Sequence, residues 1–323
     1  MNHQPLESLV RDVGERLHGP RQSRWAAVIV DPFVRDPFDD GFVAEMGAAK
    51  LRINAPLRDK ATSRLPYLLL LEATSHGVAL LHTTCLEALE EQRKPDREAE
   101  HGFAIGPWIG FNADPDEVIR HWATICTIRV AGQGRRYLRL ADRRVLKWLW
   151  RHLDVAQKSF LAGPMTKILL LGRDLSVAEL DFSVAPRQKP SPPSWTFDLT
   201  MLEQCEAVQS MLRGWQRFER SVPENYLELA EFALSEARAA GAHGLHDQVL
   251  LGAYALQVDN YVLRSPELRS LVAASQAQAV NLTLALSTVP DSRWDAMAMS
   301  VRKDRSSAYH LDSTDGERRH GFR

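Results

Sequence analysis

Cysteine is scarce in this 323-residue chain. Cys85, Cys126 and Cys205 are odd in number, widely spaced and without any CxxC pair, which argues against a disulfide scaffold or a structural zinc site and fits a reducing compartment. Net charge is almost absent as well. A formal charge of -1 supplies no global positive field for nucleic acid or anionic membrane, so any basic site has to be local. Long apolar runs are missing too: LPYLLLL at 65–71 falls far short of the roughly 20 residues that span a bilayer. The N-terminal MNHQPLESLVRDVGERLHG is polar and amphipathic, unlike a secretory signal. A cytoplasmic protein without membrane insertion is expected.

Recognisable catalytic motifs are also lacking. The chain holds no Walker loop, GxSxG elbow, HExxH, EF-hand loop or GxGxxG, so no catalytic residue, metal site or cofactor is assigned. Gly132-Gln133-Gly134 lies between two strand-like runs and reads as a hairpin turn. His76, His82 and Cys85 have spacings that match no standard metal site. His121 and His152 read as helix-surface or packing residues. Asp31, Asp36, Asp39 and Asp40 in DPFVRDPFDDGF are the right type for a cation site, but Asp-Pro turns in a loop explain them better.

What is present divides at VAPRQKPSPPSW, Val184–Trp195, which packs four prolines into twelve residues and resists helix and central strand alike. Before it, strand and helix signals alternate: WAAVIV (25–30), the non-alternating LPYLLLLE (65–72), and GFAIGPWIGF (102–111), interrupted at Pro107. Asp114-Pro115 opens a helix, and TICTIRV and RRYLRL form a hairpin around AGQG. After it, helical signals dominate, with four helices expected: those opened by the capping patterns Thr200-x-x-Glu203 and Ser221-x-x-Glu224, then DQVLLGAYALQVDNYV, and a last one from Ser265-Pro266-Glu267 to about Leu286. The expected architecture is an α/β (α+β) lobe over 1–183 with a mixed sheet flanked by helices, a linker at 184–196, an all-α lobe over 197–289 and a mobile tail from 290 to 323. Residues 101–183 hold eight acids and twelve bases, whereas 197–289 hold eleven acids and six bases, so the lobes carry opposite sign.

The densest basic stretch is RRYLRLADRRVLKWLWR, Arg135–Arg151, with seven bases, one acid and three aromatics. Asp142 is a natural N-cap for a helix from Arg143. Helical geometry gathers Val145, Leu146, Leu149 and Leu153 on one side and Arg143, Arg144, Lys147 and Arg151 on the other, so these arginines are expected to face solvent. Trp148 projects about 130° from the apolar stripe and needs a covering element or a partner. The cluster Arg135, Arg136, Arg139, Arg143 and Arg144 has the charge for nucleic acid, but the neutral total and the acidic second lobe argue against it.

The succession VIVD, LPYLLLLE, FAIGPWIGF, DPDEVIRHW, TICTIRV with RRYLRL, ADRRVLKWL, LDVAQKSFLAGP and KILLL resembles the DUF4123 domain over roughly residues 25–175. The nearest local similarity is YLRLADRRVLKWLW, which is like the family's strand of the type FRFYDPRVL followed by a short helix; Arg143 stands where that pattern has proline. The resemblance implies a non-enzymatic adaptor, or chaperone, of bacterial type VI secretion that binds a toxic effector and helps load it onto the VgrG or PAAR spike. On that reading Arg139, Arg143, Arg144, Trp148 and Trp150 are the expected partner contacts. An immunity protein that neutralises a toxin, and an enzyme assembled without a local motif around Asp31, Asp39 and His76, are the alternatives.

Overall fold

The computed structural model describes residues 4–19, 23–55, 64–130, 134–181, 199–218, 222–277 and 280–317. The chain divides into two compact units, Met1–Cys205 and Glu206–Arg323. The proline-rich 184–196 and most of the AGQG turn lie outside the described residues.

The first unit is built on a six-stranded sheet in the order β2-β3-β1-β4-β7-β8. Its strands are β1 (Trp25–Val30), β2 (Leu51–Arg52), β3 (Tyr67–Leu70), β4 (Ile105–Phe111), β7 (Met165–Leu171) and β8 (Val177–Glu179). The expected α/β lobe with a helix-flanked sheet is present, in its α+β form: every pairing in the sheet is antiparallel. Hydrophobic runs without alternation explain why β1 and β4 are nonetheless buried on both faces. Helices α1 (Gln4–His18) and α3 (Ser75–Arg93) set Leu9, Val13, Leu81 and Cys85 against Val28, Leu69 and Trp108 on one face. The alternate residues Ala27, Ile29, Leu68, Ile109, Ile168 and Leu170 are buried too. Helices α6 (Arg143–His152) and α7 (Val155–Ala162) pack on β4 and β7.

Pro107 does not interrupt β4. The β1–β4 register shifts between Val28 and Val30, so Gly106 and Pro107 fall in a bulge, where a residue lacking an N–H is tolerated inside a sheet. Pairing of β4 with β7 starts only at Trp108. Gly106 is required by close approach, because a Cβ there would lie 2.5 Å from the Ala141 carbonyl oxygen and 2.6 Å from that of Ile29.

Local capping places the remaining helices. Thr74 caps α3, Asp39 caps α2 (Asp40–Glu45), Asp114 caps α5 (Pro115–Ile125), and Asp154 with Gln157 forms a reciprocal box on α7. Helix α4 (Pro95–His101) starts on a proline. The expected hairpin forms as a separate two-stranded sheet, β5 (Thr127–Val130) with β6 (Gly134–Tyr137).

The second unit, which begins within α8 (Leu199–Phe218), is helical in all its described elements. Of α8, α9 (Tyr226–Ala239), α10 (Leu245–Val258), α11 (Pro266–Ala277), α12 (Leu282–Ser287) and α13 (Asp291–Glu317), α11 and α12 occupy the span expected for one helix, and Asn281 caps the second. Within this unit Arg264 grips Glu236 at 2.6 and 2.8 Å. From 290, where a tail is expected, α13 buries Trp294, Met297, Ala298 and Val301, an i, i+3, i+4, i+7 stripe, with Trp294 stacked on Tyr254 at 4.7 Å.

Gly106→Ala is expected to destabilise the protein by about 3 kcal/mol, because its methyl meets two backbone oxygens rather than a yielding side chain. A lower urea midpoint at unchanged slope is the readout.

Candidate functional site

Phe103 lies just before β4 and is 1% exposed. Three guanidinium groups lie over its ring, Arg143 at 4.1 Å, Arg144 at 4.3 Å and Arg173 at 6.0 Å from the centroid. Four carboxylates, Asp31, Glu91, Glu98 and Asp142, are buried around them. Charges at such depth persist only when paired and hydrogen-bonded, and here each is.

The chain supplies these groups from distant elements. Glu91, near the end of α3, accepts from the backbone N–H groups of Ala104 (2.7 Å) and Ile105 (3.2 Å) and pairs with Arg143 at 2.7 Å. Arg143 also donates to the carbonyls of Ile105 (2.8 Å) and Ala88 (2.7 Å). Glu98 on α4 receives Arg173 through two bonds, 2.5 and 3.0 Å, and Arg144 at 2.5 Å. Asp142 caps α6 through Arg144 N and holds the Arg144 side chain at 2.5 and 2.9 Å. Asp31, at the end of β1, accepts from Arg139 (2.8 Å), Tyr137 (3.2 Å) and Phe33 N (3.0 Å).

Electrostatics follow from this packing. Burial works against the charge on Asp142, but Arg144 and Arg139 outweigh it and hold its carboxyl down to about 2. Glu98 is lowered in the same way, Arg173 and Arg144 overcoming burial. Glu91 runs the other way: burial pushes its carboxyl up despite Arg143, and burial likewise lowers Arg143. Burial and the neighbouring Asp31 push the Tyr137 phenol well above its ordinary range.

These positions correct the expectation of solvent-facing arginines. Arg143 is 1% exposed and Trp148 is 1% exposed; Arg144 is enclosed and Trp150 is buried. Acids descending from α3 and α4 enclose Arg143 and Arg144 at the start of α6, while Arg151 at its end is exposed, as expected. Trp148 packs beside His152, ring centroids 4.3 Å apart, and its indole N–H finds no acceptor among the described residues. A partner cannot touch Arg143, Trp148 or Trp150 without opening the fold. Arg139 is the expected contact that stays near the surface, with its guanidinium over the exposed ring of Phe33 at 5.8 Å.

The other candidates are dispersed. Asp36 bonds Tyr67, Lys50 and Phe38 N, Asp39 caps α2, and Asp40 meets Lys50, which is the loop reading of that acidic run. His76 lines a cleft of about 350 Å³ with Met46, Leu51, Leu70, Glu72 and Leu80, while Asp31 belongs to the buried cluster and Asp39 to a helix cap. His82 is exposed on α3, and Cys85 is buried there. His121 is a packing residue, bonding the Leu161 carbonyl at 3.0 Å, and burial lowers its pKa. His152 is exposed at the end of α6.

Glu91, Glu98, Phe103 and Arg173 are missing from the sequence-level candidates. A signal for Glu91 exists: Leu81, Cys85, Ala88 and Glu91 share one helical stripe of α3, and an acid on an apolar stripe requires a buried cation.

A family model described as "Domain of unknown function (DUF4123)" matches residues 57–159, which take in β3 through α6. No curated protein and no solved structure matches the chain. Among the described residues, no helix is long and apolar enough to cross a membrane.

Arg143→Ala is expected to cost about 3–5 kcal/mol, because it strands Glu91, whereas Arg143→Met with Glu91→Leu recovers only part of that loss, since the Ala104 and Ile105 N–H groups lose their acceptor. Chemical unfolding of the three proteins tests it. Trp148→Ala is expected to lower stability by about 3–5 kcal/mol, measured by the same assay. For Asp142 the folded pKa is depressed, so its contribution is complete above the unfolded value near 3.8 and is lost as pH falls through about 2. Asp142→Asn should therefore be less stable than the parent at pH 6, with the difference shrinking below pH 4.

Proposed function

We propose that this protein is a non-enzymatic cytoplasmic adaptor of bacterial type VI secretion, which binds a toxic effector and helps load it onto a VgrG or PAAR spike protein. The observation that carries the reading is the DUF4123 match over 57–159, the stretch that supplies Glu91, Glu98, Phe103, Arg139 and the whole of α6.

The geometry supports it in two ways. The charged cluster is internally compensated, which gives α3, β4 and α6 a rigid frame. Its outer rim, Arg139 with Phe33 and Tyr137, offers the arginine and aromatic side chains that dominate protein recognition. A handover protein needs a preorganised but limited contact, tight enough to select cargo and reversible enough to release it.

The test is recovery of the tagged full-length chain from its producing bacterium at low salt, with partners identified by mass spectrometry. A toxin recovered together with VgrG or a PAAR protein is expected. Recovery of neither, from cells making the secretion apparatus, overturns the reading. Expression of this protein alone should also leave a toxin-exposed cell unprotected; rescue would make it an immunity protein.

A further inference from the structure

The β5–β6 sheet pairs Arg129 directly with Arg135, and both side chains are exposed. Directly opposed residues share one face of a hairpin, and like charges there destabilise it. Among the described residues neither guanidinium has a hydrogen bond or ion pair. Arg139, Arg143, Arg144 and Arg173, by contrast, are all matched to carboxylates.

The period of two along a strand places Tyr137 on the same face as Arg135. The Tyr137 ring lies 6.2 Å from that of Phe33, which is 38% exposed and lies beneath Arg139. Ile128, on the opposite face of the hairpin, is buried. Ile128 thus anchors one side of this small sheet, while the other carries two exposed, opposed cations and leads inward to the half-buried Tyr137, which is tied to Asp31 and lies beside Phe33.

We propose that this face docks an acidic segment of a partner polypeptide, with carboxylates between Arg129 and Arg135 and an apolar side chain against Phe33 and Tyr137. Guanidinium forks recognise carboxylates through paired hydrogen bonds, and an incoming acid relieves the repulsion that the hairpin otherwise carries. Nucleic acid fits less well. Its affinity grows with the number of phosphates neutralised, and the helix leading into β5 exposes Asp116 and Glu117. The inference rests on the adaptor reading for the identity of the partner, but not for its chemistry.

The test uses the full chain and three labelled probes in fluorescence anisotropy: a peptide of glutamates interspersed with leucine, the same peptide with glutamine for glutamate, and a single-stranded oligonucleotide of equal charge. The acidic peptide is expected to bind, and both the glutamine peptide and the Arg129→Gln/Arg135→Gln variant to lose about tenfold or more in affinity. The variant's Tm should equal or exceed that of the parent, since repulsion is removed. A purely structural role predicts a lower Tm with undiminished peptide binding, and that outcome overturns the proposal. Absence of binding, equal binding of the glutamine peptide, or tighter binding of the oligonucleotide does the same. If the peptide assay fails while toxin and spike still co-purify from producing cells, the hairpin site falls and the adaptor reading stands; peptide binding without such co-purification has the opposite meaning.

Discussion

The buried contact between Glu91 and Arg143 is the constraint on which the first unit turns. It joins the last turns of α3, the start of β4 and the first turn of α6, and each group also binds backbone from one of the others. Burial opposes both charges, raising the acid and lowering the base, so the pair is a poor source of net stability. Its value lies in selectivity: a packing that separated these two groups would leave an ion in an apolar interior.

Around that contact the charges separate into two kinds. Those beneath the surface are neutralised in place, Asp142 and Glu98 by Arg144 and Arg173, and they hold the loop ends together. On the hairpin, Arg129 and Arg135 have no charged partner among the described residues. A stiff interior beneath a surface with unmet charge is the arrangement in which binding energy is not consumed by reordering the receptor.

Short-range chemistry was the legible part of the sequence. Asp114 before Pro115 and Asp142 before Arg143 announced helix starts, the run WAAVIV announced a strand, and all lie where expected. The proline-rich break lies outside the described residues. What stayed hidden depends on contacts far apart along the chain: Arg143 meets Glu91 52 positions away, Arg173 meets Glu98 75 away, and Arg139 meets Asp31 108 away. A helical projection assigns faces but not the neighbours that cover them, so Arg143 and Arg144 read as solvated when acids from α3 and α4 enclose them. The bulge at Gly106-Pro107 was hidden for a similar reason, since a proline stops a strand unless its partner strand makes room for an extra residue.

The two margins of the main sheet are its shortest strands, Leu51–Arg52 and Val177–Glu179. A sheet of strongly apolar inner strands invites addition of further strands wherever a long margin is left open. Among the described residues, these outermost strands offer a newcomer only two or three residues with which to align, too few to fix a register. A protein proposed to hold another chain before export thus carries a sheet poorly suited to templating its cargo's aggregation.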